Sequence, residues 1–154
     1  MNKALLVVSI IILLLSGCAS VPMEGGKEAE SAKKFNDPSP GKAGVYVYRD
    51  DTVFGGALKK GVWIDGECIG ETAKGVFFYH EVDGDKEHTI STESEFSNND
   101  LVVSMKKGLL YFIRQYIKMG VFVGGAGLEV KDAETGKKEV EKLSMAKKGD
   151  CGEA

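Results

Sequence analysis

The stretch Val62-Trp63-Ile64-Asp65-Gly66-Glu67-Cys68-Ile69-Gly70 predicts a β-hairpin and sets the fold class of the chain. Its centre, Asp65-Gly66, suits a two-residue type I′ turn, because both positions tolerate positive φ. The expected cross-strand pairs are Ile64 with Glu67, Trp63 with Cys68, and Val62 with Ile69. We therefore expect the aliphatic side chains of this hairpin to face a core, and Trp63 to lie at least partly outside it.

Short runs rich in β-branched and aromatic residues continue on both sides of the hairpin, each closed by a glycine-containing turn. Such runs are typical of strands. The eight predicted strands cover residues 44–49, 61–64, 67–71, 76–82, 88–95, 101–105, 109–119 and 127–131. Regular turn spacing without alternating helices favours an all-β, antiparallel β-sandwich. Asp132 is then expected to cap a short helix to about Leu143, which Gly136 weakens.

An apolar run at residues 4–15 ends in Leu15-Ser16-Gly17-Cys18, which resembles the lipobox of bacterial lipoproteins. The run is preceded by Lys3 and spans only ~18 Å as a helix, against ~30 Å of hydrocarbon, so it predicts a cleaved signal helix rather than a membrane span. The resemblance implies that Cys18 carries a covalent diacylglycerol and an acyl chain. We expect no other cofactor.

The signal also predicts a location. The residue after Cys18 is Ala19 rather than the aspartate that retains similar lipoproteins in an inner membrane. We therefore expect anchoring in the outer membrane of a bacterial cell envelope, facing the periplasm. The chain has a formal charge of −3 and scattered lysine pairs, so no nucleic-acid partner is expected.

Four regions are predicted: a lipoprotein signal peptide at 1–17, a flexible tether at 18–42, the β-sandwich domain at 43–146 and a mobile tail at 147–154. The tether contains all three prolines of the chain. An alternative for residues 28–35 is a helix of one or two turns, with Phe35 docked on the domain. Cys68 and Cys151 are either bridged or free, because connectivity cannot be derived from spacing.

Several segments resemble a family of bacterial lipoproteins, domain of unknown function twenty-eight forty-six. They are Gly41-Lys42-Ala43, Val45-Tyr46-Val47-Tyr48-Arg49, Trp63-Ile64-Asp65-Gly66, His88-Thr89-Ile90 and Tyr111-Phe112-Ile113-Arg114-Gln115. The Asp-Gly hairpin is also similar to small Ig-like modules such as the PEGA domain. These resemblances imply an Ig-like or prealbumin-like sandwich of seven or eight strands, and they bring no catalytic residues.

His80 and His88 lie among alternating acidic residues, which permits a weak metal interpretation. Alternation along strands sends neighbouring side chains to opposite faces, however, and the spacing of helical zinc sites and calcium loops is absent. We favour a partly buried His88 on the face of Ile90, with solvated acids at the turn. An enzyme is not expected, since these two histidines would be the only candidate imidazole bases.

Two Gly-rich loops carry large apolar residues, after the first and seventh predicted strands. If every connection reverses direction, both loops lie at one end of the sandwich, opposite the tether, and a short tether would aim them away from the anchoring membrane. The residues concerned are Phe54, Leu58, Val121, Phe122 and Val123. They either cover the open end of the core or form a contact surface for an envelope protein or a membrane.

The sequence thus predicts a lipid-anchored, non-catalytic interaction module. The alternative is a periplasmic binding domain for a small ligand, either a glycan or a metal held by His80 and His88.

Overall fold

The computed structural model describes residues 20–152. The predicted signal helix and the predicted lipidation site Cys18 lie outside this part of the chain. None of the helices within it has the length and apolarity needed to cross a membrane.

The described residues contain nine strands and two helices. The strands are β1 Lys42–Arg49, β2 Lys60–Ile64, β3 Glu67–Thr72, β4 Val76–Asp83, β5 Lys86–Thr92, β6 Asn99–Met105, β7 Leu110–Lys118, β8 Gly125–Lys131 and β9 Ser144–Met145, and the helices are α1 Gly26–Ala32 and α2 Ala133–Val140. All eight predicted strands are present. Asp132 caps α2 by accepting a hydrogen bond from the N–H of Thr135, although the helix ends at Val140 rather than Leu143.

The strands form two sheets that pack as a β-sandwich, which confirms the predicted fold class. One sheet has the order β8-β7-β1-β4-β9 and the other β3-β2-β5-β6. Most of the strand pairs are antiparallel, but β1 is parallel to β7 and β4 is parallel to β9. The strand β6 ends where β1 begins, so β7 enters the sheet beside β1 and in the same direction.

The β2–β3 hairpin turns at Asp65-Gly66, and both residues have positive φ, 52° and 81°. Its first two predicted pairs are confirmed, but Val62 pairs with Gly70 rather than Ile69. The register shifts at a bulge between Val62 and Trp63, where one strand contains an extra residue. The aliphatic face is buried as predicted, and Trp63 is half-buried.

Two apolar clusters stabilise the domain. The first lies between the sheets and includes Val47, Ile69, Phe78 and Ile113. The second lies on the outer face of the five-stranded sheet, where Ala32 and Val140 from the two helices cover Tyr46, Tyr48, Phe77 and Phe112. Gly136 allows α2 to approach this face, because a Cβ at that position would lie 2.2 Å from the ring of Phe112.

Residues 20–41 are docked on the domain, which corrects the prediction of a flexible tether. Val21 is buried in the first cluster, and Met23 forms a β-bridge with Ala146. The Tyr46 hydroxyl donates a 2.7 Å hydrogen bond to the carbonyl oxygen at the end of α1. The ring of Phe35 packs at a tilt against that of Tyr46, with the ring centroids 5.4 Å apart, as the alternative with a docked Phe35 predicts.

The C-terminal segment is docked as well, which corrects the prediction of a mobile tail for residues up to 152. Cys151 forms a disulfide with Cys68, and their Cα atoms are 5.9 Å apart. The N–H of Gly149 donates to the carbonyl oxygen of Ile69 in the edge strand β3. The bridge answers the question that the cysteine spacing leaves open.

Candidate interaction surface

The two Gly-rich apolar loops lie at one end of the sandwich, as predicted. They follow β1 and β7, which are parallel neighbours, so the loops emerge side by side. We name this end the apolar pole and the opposite end, where β1 begins and where the sequence leads us to expect the anchor, the anchor end. The apolar pole comprises Val53, Phe54, Leu58, Phe96, Met119, Val121, Phe122 and Val123.

Most side chains of the apolar pole project into solvent and do not cover the core. Val53 is 94% exposed, Phe122 83% and Phe54 56%. Among the five residues predicted for partner contact, Leu58 alone is half-buried, and the other four are exposed. Exposed apolar side chains grouped in this way commonly mark contact sites.

A shallow cavity of about 300 Å³ lies between the two loops and is lined by Phe54, Leu58, Ile117 and Phe122, among others. Two glycines allow the loops to meet there. A Cβ at Gly55 would lie 2.6 Å from the Ile117 side chain, and a Cβ at Gly124 would lie 2.6 Å from that of Leu58. The close approach of the first loop to β7, and of the second loop to Leu58 in the first, therefore depends on the absence of side chains at these positions.

A buried cation organises the first loop. Arg49, the last residue of β1, is 2% exposed, and its guanidinium donates hydrogen bonds to the carbonyl oxygens of Leu58, at 2.6 Å, and of Gly55. Burial lowers the pKa of Arg49, but an arginine with an ordinary pKa above about 12 remains charged at neutral pH. These two carbonyl groups of the loop thus face inward.

A carboxylate organises the second loop. Glu95, in the loop between β5 and β6, accepts backbone hydrogen bonds from Val121 at 2.6 Å, from Val123 at 3.2 Å and from Phe122. Desolvation acts to raise the pKa of Glu95, but these N–H groups outweigh it and lower the pKa below its ordinary value. These N–H groups already donate to Glu95. A partner can therefore displace water from the loop without leaving buried N–H donors unsatisfied.

Sequence reasoning missed both organising residues. The predicted strand 88–95 includes Glu95, whereas β5 ends at Thr92. The contact from Glu95 to Val121 spans 26 residues, which no local pattern reports. For Arg49, a strand-ending arginine directly before a Gly-rich apolar loop is a signal that could have indicated the contact.

The histidines have other partners. The imidazole of the buried His88 has Nδ1 2.6 Å from the Asp65 carboxylate and Nε2 2.7 Å from the carbonyl oxygen of Asp83, so it links two hairpin turns. The ammonium of Lys148 donates to Nδ1 of His80 at 2.8 Å, and desolvation lowers the pKa of both groups. Residues 20–152 contain no group of three or more His, Cys, Asp or Glu side chains placed to hold a metal ion.

Comparisons with known proteins give the family. A family profile described as "Protein of unknown function (DUF2846)" matches residues 39–126, which include both Gly-rich apolar loops. An "Uncharacterized protein" of Haemophilus influenzae is 54% identical over 136 residues, which cover 88% of this chain and 80% of the relative. No solved structure matches the chain. The extent of the profile match and the identity to the relative show that this chain belongs to the family described as protein of unknown function DUF2846.

Proposed function

We propose that this protein is a lipid-anchored lipoprotein of the bacterial cell envelope, and that its β-sandwich is a non-catalytic interaction module. Its contact surface is the apolar pole, and its partner is an envelope protein that offers an apolar recess to the rings of Phe54 and Phe122. One observation carries this proposal: the exposed rings stand on loops that Arg49 and Glu95 hold in place.

Prearranged loops favour binding, because less conformational entropy is lost when a contact forms. Aromatic side chains at the centre of an interface commonly contribute most of its binding free energy. Phe54 and Phe122 border the same cavity, so one partner surface can engage both rings.

The anchor is proposed from the sequence. Leu15-Ser16-Gly17-Cys18 resembles a lipobox, and a protein with two or three acyl chains stays on a bilayer that a single chain holds only marginally. Ala19 favours the outer membrane, with the domain in the periplasm.

A photo-crosslinking amino acid at position 122, introduced into the full-length protein in intact cells, tests the proposal. We expect one dominant adduct with an envelope protein, identified by mass spectrometry. The matched control is position 102, since Val102 is 59% exposed but lies in β6, away from the apolar pole. No adduct from position 122, or equal adducts from both positions, would contradict the proposal.

A further inference from the structure

We infer that the N-terminal segment, residues 20–41, is held against the domain and directs the apolar pole away from the anchoring membrane. The partner is then a protein that approaches from the opposite side. This orientation rests on the proposed lipid anchor and contact surface, and it adds the place from which the partner must come.

The direction of the chain near Ser20 supports this orientation. Met23 bridges to Ala146 in antiparallel fashion, and the N–H of Lys147 donates to the carbonyl oxygen of Pro22 at 2.8 Å. The preceding strand β9 is parallel to β4, which starts beside the end of β1 and runs towards the anchor end. Followed backwards from Met23, the chain therefore runs away from the apolar pole.

The connection to the proposed lipid is short. Val21 is buried, and a chain of three residues from Cys18 to Val21 can span no more than about 11 Å between the two Cα atoms. The eight residues of β1 alone extend about 23 Å from the first Cα atom, at the anchor end, to the last, at the apolar pole. Val21 precedes Pro22, which pairs with Lys147 partway along β4 and not at the anchor end. The connection to Cys18 therefore begins inside this length, and its reach of about 11 Å is about half of it.

This geometry distinguishes the occupants that an apolar surface could have. The anchoring membrane lies beyond the opposite end of the domain. A second copy joined pole to pole would place the two lipid anchors at opposite ends of the pair, where one membrane cannot hold both. A different protein, located away from the anchoring membrane, can contact the apolar pole without either of these problems.

Fluorescence quenching on vesicles tests the orientation. The acylated full-length protein is reconstituted into vesicles of phosphatidylethanolamine and phosphatidylglycerol that contain spin-labelled lipid. One variant carries an NBD probe at Phe122→Cys. The matched variant carries it at Glu87→Cys, an exposed position at the start of β5, at the anchor end. Because Cys68 and Cys151 form a disulfide, the introduced cysteine is the thiol that reacts.

We expect the lipid spin label to quench the probe at position 87 several-fold more strongly than the probe at position 122. Equal quenching at the two positions, or stronger quenching at position 122, would overturn the orientation, and the latter would assign the apolar pole to its own membrane. A protein without acyl chains on Cys18 would overturn it too. If the probes show the expected quenching pattern but no cross-link forms at position 122, the proposed protein partner is contradicted and the orientation is not.

Discussion

The backbone N–H of Val121 donates a 2.6 Å hydrogen bond to the carboxylate of Glu95, although their two loops connect strands of different sheets. The contact joins the sheets at the apolar pole and holds the backbone of the loop that carries Phe122. An acidic residue thereby shapes an apolar surface.

Replacing Glu95 with glutamine should loosen this loop. In Glu95→Gln, a neutral amide oxygen replaces an anion that accepts three N–H groups, and charge-assisted hydrogen bonds are the stronger kind. We expect faster amide hydrogen exchange at residues 121–123, with little change in the thermal midpoint. Glu134→Gln, at an exposed ion pair with Lys138 on α2, is the control. Unchanged exchange in Glu95→Gln would contradict the role of this carboxylate.

The same contact should depend on pH. The pKa of Glu95 is lowered on folding, so the ionised carboxylate stabilises the loop above its ordinary pKa of 4.5, and this contribution is lost as the pH falls through the lowered value. Protection of residues 121–123, corrected for intrinsic exchange rates, should be constant near neutrality and decrease only below pH 4.5. Glu95→Gln should lack this decrease. A decrease of equal size in both proteins would assign it to another group.

Replacing Gly136 with alanine should destabilise the protein, although alanine favours a helix by about 1 kcal/mol over glycine. The added Cβ would lie 2.2 Å from the ring of Phe112, and overpacking of this kind destabilises by about 1–3 kcal/mol or more. Urea unfolding should therefore show a lower midpoint for Gly136→Ala. Glu134→Ala, at an exposed position of α2, should leave the midpoint unchanged or raise it. A higher midpoint for Gly136→Ala would show that α2 does not pack this closely.

Reduction of the Cys68–Cys151 disulfide should also destabilise the protein. The bridge joins residues 83 apart in sequence, and a constraint of this kind contributes about 2–4 kcal/mol. Urea unfolding followed by the fluorescence of Trp63, which pairs with Cys68, should shift to a lower midpoint in reductant. The variant Cys68→Ser/Cys151→Ser should not respond. An unresponsive parent protein would mean that the bridge is absent.

Local chemistry explains which parts of the fold the sequence predicts well. The Asp65-Gly66 turn depends on two residues that tolerate positive φ, and the Asp132 cap depends on one side chain near a helix start. The bulge beside Val62 has no such signature. If successive strands alternate in direction, the loops after β1 and β7 lie at the same end. This rule does not predict that β1 and β7 are neighbours in the sheet.

Contacts between distant residues account for the remaining differences. The docking of Val21, the disulfide of Cys68 and the clamp by Glu95 all join positions far apart in the chain. The composition of residues 20–41 predicts flexibility, but the burial of Val21 and the packing of the partly buried Phe35 against the sandwich override it. The candidate site is therefore predictable in its apolar residues and not in the charged residues that shape it.

The central claim is that Phe54 and Phe122 form a contact surface and not part of the core. The variant Phe54→Asp/Phe122→Asp, with the photo-crosslinking amino acid at position 53, tests it in cells and in thermal unfolding. Val102→Asp/Val130→Asp changes two exposed valines of β6 and β8 and serves as the control that keeps the cross-link. For the double phenylalanine variant, we predict loss of the partner cross-link with a nearly unchanged thermal midpoint. A large fall in the thermal midpoint, or a cross-link of undiminished yield, would contradict the claim.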